Sequence, residues 1–222
     1  MKTINFQIIT KDFTLDEEKE YLAEIAAAAV KSSADVLQLR NKNISPGNLY
    51  RCALFIKKTL KSFKKKRKPL LIINDRPDVA YISGADGVHV GQEDFPAAEI
   101  KKIFPNLIVG VSAETVEQAV AAQNDGADYI GAGPVYLTSS KQDAGDLMAK
   151  ETLKKICRSV NIPVIAIGGI TEDKIKELAP HGVSGAAVIS AVSRAPYPAS
   201  AALKFRKNID KFLKDEVKEY KI

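Results

Sequence analysis

Three groups of residues in this sequence have the types and spacing that chemistry needs. Asp75 and Asp94 each stand just past an apolar run, 70–73 in one case and 87–90 in the other, and Asn74 sits directly before Asp75. Two carboxylates placed in this way suit a hard divalent ion. Mg2+ takes one or two carboxylates and completes its shell with water and phosphate oxygens. Gln38, Arg40 and Lys42 fall at alternate positions where the run 35–39 ends, so an amide and two cations share one side of an extended chain. Thr138, Ser139, Ser140 and Lys141 bring three hydroxyls and a mobile point charge into the glycine-rich stretch 131–145, the chemistry of a loop that closes over a phosphorylated ligand. Each group also has a plainer reading. Arg40 and Lys42 would pair surface carboxylates, Asp75 and Asp94 would cap the helices behind them, and the loop would simply be solvated. Those readings leave the matched placement of the carboxylates unexplained.

Smaller signals lie elsewhere in the chain. Ser112 follows the run 107–110, where it is either a hydroxyl at a site or a helix cap. Thr115-Val-Glu-Gln118 competes for the second role, because it resembles a capping box. Gly168-Gly169 follow the run 163–167 and Ser190 follows 186–189, so glycines and backbone amides stand ready for a phosphate. Two anion sites are expected, one cationic and metal-assisted, the other lined by backbone. His89 lies inside an apolar run and reads as a core or supporting residue, and His181, in Pro180-His-Gly182, reads as surface. Two histidines and two distant cysteines without CxxC spacing do not make a zinc site. Cys52 and Cys157 are expected as buried thiols in a reducing compartment. No Ser-His-Asp arrangement, P-loop or GxGxxG follows a strand as those motifs require.

The elements that must position these residues repeat along the chain as a short β-rich run, a turn and an amphipathic stretch. Strands are expected at 6–9, 35–39, 70–73, 87–90, 107–110, 129–131, 163–167 and 186–189. Helices are expected at 15–31, 46–63, 78–82, 97–104, 115–124, 149–159 and 172–178, with a last one after Pro198. The runs are almost continuously apolar, as parallel strands covered by helices should be. Eight such units in 222 residues point to a single-domain (β/α)8 TIM barrel over 1–222, with a basic tail at 211–222 that frays. In that fold the residues just past each strand meet at one mouth. The turns Gly84-Ala-Asp86 and Gly126-Ala-Asp128 each close a helix before a strand.

Composition narrows the function classes. No apolar run is long enough to span a bilayer, and the N-terminus lacks a signal peptide pattern, so no membrane partner and a cytoplasmic location are expected. The net charge of +6 favours an anionic partner without naming it. Much of it sits in Lys64-Lys-Lys-Arg-Lys68, read as a solvated helix end. No aromatic interleaves there and no recognition motif accompanies it, so no nucleic acid is expected. The sequence is silent on oligomeric state.

Taken together and in order, Gln38-x-Arg-x-Lys42, Ile73-Asn-Asp-Arg76, the stretch 84–94, Gly110-Val-Ser112, Gly133-Pro134 with Thr138-x-Ser-Lys141, Ala166-Ile-Gly-Gly-Ile170 and Val188-Ile-Ser190 resemble the thiamine phosphate synthase family. The resemblance covers nearly the whole chain. It implies a transferase that joins hydroxymethylpyrimidine diphosphate to a thiazole phosphate, giving thiamine phosphate and pyrophosphate with Mg2+. It also implies that Gln38, Leu39, Arg40, Asn41, Lys42, Asn74, Ser112 and Lys141 bind the pyrimidine diphosphate. Asp75 and Asp94 would hold Mg2+, and Thr138, Ser139, Ser140, Gly168, Gly169, Ile189 and Ser190 would bind the thiazole phosphate. Arg40, Lys42, Ser112 and Lys141 would act on the leaving group. The chain departs from the family pattern at Thr138-Ser-Ser140, where Thr-Pro-Thr is common, at Glu114, where a histidine is frequent, and at Asn41, where a glutamate is. Two alternatives remain at this stage, the related thiazole tautomerase and a non-catalytic ligand-binding barrel.

Overall fold

The strands are short, rich in Val, Ile, Leu and Ala, and buried on both faces along most of their length. Such strands lie side by side in parallel only if helices cover the outside and side chains fill the inside. The computed structural model describes residues 4–138 and 146–213. In it β1 (Phe6–Ile9), β2 (Val36–Leu39), β3 (Leu70–Asn74), β4 (Gly87–Val90), β5 (Ile108–Ala113), β6 (Tyr129–Ala132), β7 (Val164–Ile167) and β8 (Gly185–Val188) close into a barrel in chain order. All neighbours are parallel, and β8 pairs β1 with Phe6 opposite Ala186. The expected (β/α)8 architecture is therefore the observed one.

Alternation along the strands divides the core in two. Val36, Leu70, Ile72, Tyr129, Ile165 and Ala187 belong to a cluster inside the barrel, and their sequence neighbours Leu37, Leu71, Ile73, Ile130, Ala166 and Ala186 to the layer under the helices. The same two-residue period puts Gln38, Asn74, His89, Gly110, Ser112 and Gly131 on the interior side. The helices of that outer layer are α1 (Glu18–Ser32), α2 (Pro46–Ser62), α3 (Pro77–Ser83), α4 (Ala97–Ile103), α5 (Val116–Asn124), α6 (Lys150–Ser159) and α9 (Pro198–Phe212). Between α6 and α9, one-turn helices α7 (Ile175–Leu178) and α8 (Ser190–Ser193) follow β7 and β8.

A fourfold device ties the strand starts together. Asp35, Asp86 and Asp128 stand just before β2, β4 and β6, and each carboxylate accepts a backbone N–H of the preceding odd strand. The donors are Phe6 (3.0 Å), Leu71 (2.8 Å) and Val109 (2.7 Å). The backbone N–H of each aspartate donates in return to the carbonyl of the same residue, and Ser184 N–H does so to Val164 before β8. Two of these aspartates end the Gly-Ala-Asp turns of the sequence. The third ends Ser33-Ala-Asp35, in which Ser33 adopts the left-handed conformation at φ 56° that glycine takes elsewhere.

Five expectations change. The helix expected at 15–31 starts at Glu18. The helix expected at 172–178 is a 3-10 turn, Glu172–Lys174, followed by α7, and α8 was not anticipated. The basic run 64–68 is not merely a solvated helix end. Lys65 Nζ donates to Val30 O and Ser33 Oγ, both at 2.7 Å, and Arg67 pairs with buried Asp35 at 2.6 Å. His181 is half-buried rather than on the surface, and its Nδ1 is enclosed with no hydrogen-bond partner among the described residues. Cys52 and Cys157 are both buried, as expected. The tail beyond residue 213 lies outside the described residues.

Candidate active site

A cavity of about 640 Å³ opens at the C-terminal mouth of the barrel, walled by residues from the ends of β3 to β8. On the β3 side, Asn74 ends the strand with its side chain inward. Asp75 follows in a left-handed backbone conformation, φ 61°, with its N–H on the His89 carbonyl at 2.8 Å. A non-glycine residue held there costs on the order of 1–2 kcal/mol, and it turns the carboxylate out of line with α3. Asp75 does not cap that helix. The cap position is Arg76, which makes no side-chain capping bond and instead forks onto Asp78, whose carboxyl it holds below its ordinary range.

At the end of β4, Asp94 Oδ2 accepts the Gly91 N–H at 2.7 Å, so this carboxylate closes its own turn, and α4 begins without a side-chain cap. Asp75 and Asp94 both face the cavity. At the end of β5, Ser112 is spared capping duty, because Thr115 and Gln118 form the full capping box of α5. Ser112 Oγ lies 3.0 Å from His89 Nε2, and the Ser112 carbonyl accepts Gln92 Nε2 at 2.6 Å.

The chain after β6 crosses the top of β7 through a cis Gly133–Pro134 bond, with Val135 N–H on Ile167 O (2.9 Å) and Tyr136 N–H on Gly168 O (3.1 Å). This crossing requires the two glycines. Gly168 and Gly169 have φ of 99° and 59°, and a Cβ on either would meet Pro134 Cα at 2.6 Å or Leu137 O at 2.4 Å. Gly168, Gly169, Ile189, Ser190 and Thr138 all line the cavity. Ser139, Ser140 and Lys141 lie outside the described residues.

The end of β2 is bolted to the segment after β1 rather than lining this cavity. Arg40, 3% exposed, puts Nη1 on Asp12 Oδ2 at 3.1 Å, and its backbone N–H and carbonyl both bond the Thr10 hydroxyl. Asn41 Nδ2 donates to Phe13 O at 2.8 Å, and Leu39 packs under the helices. Gln38 is buried inside the barrel. Lys42 is the member of this group that reaches the carboxylate side, with Nζ 4.0 Å from Asp75 Oδ2.

Two cavity residues, His89 and Lys174, and two that support the site, Tyr136 and Asp12, escaped the sequence reading of the site. His89 is a wall residue that touches Ser112, and its inward register together with Gly110 and Gly131 opposite was the available signal. Lys174 lines the β7 side, with Nζ 4.3 Å over the Tyr136 ring and 3.3 Å from Gly169 O. Nothing in a helical run of mixed charge marks it out. Tyr136 donates to Glu177 at 3.1 Å, and burial beside that carboxylate pushes its phenol up to about 12. Asp12, which holds Arg40, lies 28 residues before it, beyond the reach of any local pattern.

Among the described residues no group of three or more His, Cys, Asp or Glu is arranged to cage a metal. Asp75, Glu93, Asp94 and Glu114 all line the cavity, and hard carboxylate oxygens with room for a ligand suit Mg2+ better than zinc.

Known proteins place this geometry in a family. A family model described as thiamine monophosphate synthase (TMP-TENI) matches residues 7–192. A thiamine-phosphate synthase of Methanocella arvoryzae is 47% identical over 170 residues, 76% of this chain and 78% of the other. One from Pyrococcus furiosus is 40% identical over 210 residues, 95% of this chain and 97% of the other. Among solved structures, thiamine phosphate pyrophosphorylase from Pyrococcus furiosus superposes with a TM-score of 0.81 at 36% identity, covering 96% of this chain and 98% of that one. A 3-hexulose-6-phosphate synthase at 17% identity and TM-score 0.69 shares the fold alone. The chain belongs to the thiamine monophosphate synthase family.

Proposed function

We propose that this transferase of thiamine biosynthesis joins 4-amino-2-methyl-5-hydroxymethylpyrimidine diphosphate to a thiazole phosphate, releasing pyrophosphate, with Asp75 and Asp94 holding Mg2+. The observation that carries the reading is that these two carboxylates, the Ser112 hydroxyl and the Gly168–Gly169 wall face a single cavity. When bound, Mg2+ would neutralise charge on the diphosphate oxygens.

The chain's own residues do the rest. The methylene C–O bond breaks with its electron pair going to the diphosphate, and the electron-rich aminopyrimidine tolerates the positive charge left behind. Lys42, beside Asp75, and Ser112 meet the departing oxygens, together with Lys141 as a third ligand. Donors fixed before the reaction stabilise such charge far better than water does. Arg40, held by Asp12, keeps the β2 rim in register behind Lys42. Gln38, Leu39, Asn41 and Asn74 complete the pyrimidine side. Gly168, Gly169, Ile189 and Ser190, with Thr138, Ser139 and Ser140, take the thiazole phosphate. Holding it there keeps the thiazole nitrogen within attacking distance of the methylene. No protein nucleophile or general base enters.

Mixing both phosphorylated precursors with the protein and Mg2+ tests the reading. Thiamine phosphate and pyrophosphate in equal amounts are expected, and recovery of both precursors unchanged would refute it.

A further inference from the structure

Two buried polar side chains beneath the cavity, Tyr129 and His89, have no role in the transfer as set out above, and they lead up to Ser112, which does. His89 Nδ1 and the Tyr129 hydroxyl are 3.0 Å apart, and His89 Nε2 and Ser112 Oγ are also 3.0 Å apart. Tyr129 is fully buried and His89 nearly so. Space for them is made by omission on neighbouring strands. A Cβ on Gly110 would sit 2.1 Å from Tyr129 Cζ and 2.5 Å from His89 Nδ1, and one on Gly131 would sit 3.0 Å from His89 Cε1. Two inward-facing strand positions thus forgo a side chain so that an imidazole and a phenol can lie across them.

Such a chain has a polarity. A neutral imidazole carries one proton, and the partner of one nitrogen decides which nitrogen holds it. Burial drives the Tyr129 phenol well above its ordinary range, so it keeps its proton and must place it. The Gln7 side chain pulls in the opposite direction, but its buried Nε2 has no hydrogen-bond partner among the described residues and so is not in bonding geometry with the phenol oxygen. The acceptor within reach of the phenol is His89 Nδ1. If the imidazole donated instead, the phenol proton would be left without an acceptor in an interior that includes Ile72, Ile165 and Ala187.

We propose that Tyr129 donates to His89 Nδ1, so that His89 is held as the Nε2–H tautomer and donates to Ser112 Oγ, leaving the serine proton to point into the cavity. His89 is then a positioning residue. It makes Ser112 a hydrogen-bond donor to an anionic ligand oxygen. The opposite polarity would make His89 a base acting on Ser112, the start of a serine nucleophile. The kinetic consequence rests on the reading of Ser112 as a diphosphate ligand, but the proton's place on the ring does not.

The chain contains two histidines, so 15N-histidine labelling gives two rings, and a His181→Gln variant identifies each. The expected spectrum at neutral pH shows a protonated Nε2 and an unprotonated Nδ1 for His89, with that preference lost in Tyr129→Phe. A proton on Nδ1, or on both nitrogens, overturns the proposal. Kinetics supply the second arm. His89→Gln carries an amide N–H out to the Nε2 position and should recover a substantial part of kcat/KM for the diphosphate substrate. His89→Asn reaches only the Nδ1 position and should lose roughly tenfold or more, at a melting temperature matching that of the glutamine variant. Equal losses in the two variants would overturn the positioning role. Absence of turnover in the wild-type protein would count against the reaction, while the tautomer result would stand by itself.

Discussion

Lys42 Nζ stands 4.0 Å from Asp75 Oδ2, joining the rims of β2 and β3 through two side chains that are each partly exposed. A cation beside a carboxylate in this position has two tasks if the site is as proposed. It balances the carboxylate while no ligand is bound, and it meets the diphosphate when one is. Lys42→Met is expected to lower kcat/KM on the order of tenfold to a hundredfold with little change in melting temperature. Combined with Asp75→Asn it should lose less than the product of the two single losses, because the residues share one ligand. Fully multiplicative losses would show that the two act apart.

Gly110 is a point where fold and site meet. Its absent side chain admits both Tyr129 and His89, and alanine there would place a carbon 2.1 Å from Tyr129 Cζ. Overpacking of this kind costs about 1–3 kcal/mol or more. Gly110→Ala should therefore unfold at clearly lower denaturant concentration than the wild type, and an unchanged midpoint would contradict the close approach.

Asp128 tests the strand-start device without touching the mouth. Its Oδ2 accepts Val109 N–H at 2.7 Å and Lys101 Nζ at 2.6 Å. Asp128→Ala strands a buried backbone donor, expected to cost about 1–3 kcal/mol. Thermal unfolding should shift down by several degrees while the Michaelis constants of the folded enzyme stay as they were.

Acid should weaken the protein partly through His181. Burial, and secondarily Lys150 nearby, hold its imidazole below the usual 6.5. The unfolded chain then binds the proton more readily than the folded one, so stability rises with pH across that window. The contribution is complete above about 6.5 and is lost as pH falls through the depressed folded value. His181→Gln should flatten this part of the stability profile, and an identical slope in both proteins would remove His181 as its source.

How much of this was legible in the sequence depended on distance along the chain. The strands were, because strands buried on both faces must be apolar throughout, and residues that break such runs mark the rim. Asp75, Asp94 and Ser112 were found that way. The third strand-start turn was missed because Ser33 stands where glycine would have announced a left-handed residue. Arg40 showed its charge but not its direction, since the carboxylate that turns it toward the β1 side comes from Asp12. His89 was taken for core or support. Its contact with the cavity follows from glycines on two other strands, and only strand register brings those beside it.

The central claim is that acidic and basic side chains at one rim drive a diphosphate from carbon. It is tested most directly by the rate of thiamine phosphate formation in Asp94→Ala against the wild type, each with Mg2+ and after chelation. Among the described residues Asp94 closes only its own turn, through Gly91, so the variant should fold normally. The account predicts that chelation abolishes wild-type turnover, and that the variant loses on the order of a hundredfold or more at saturating Mg2+. A near-wild-type rate in the variant, or turnover indifferent to chelation, would contradict it.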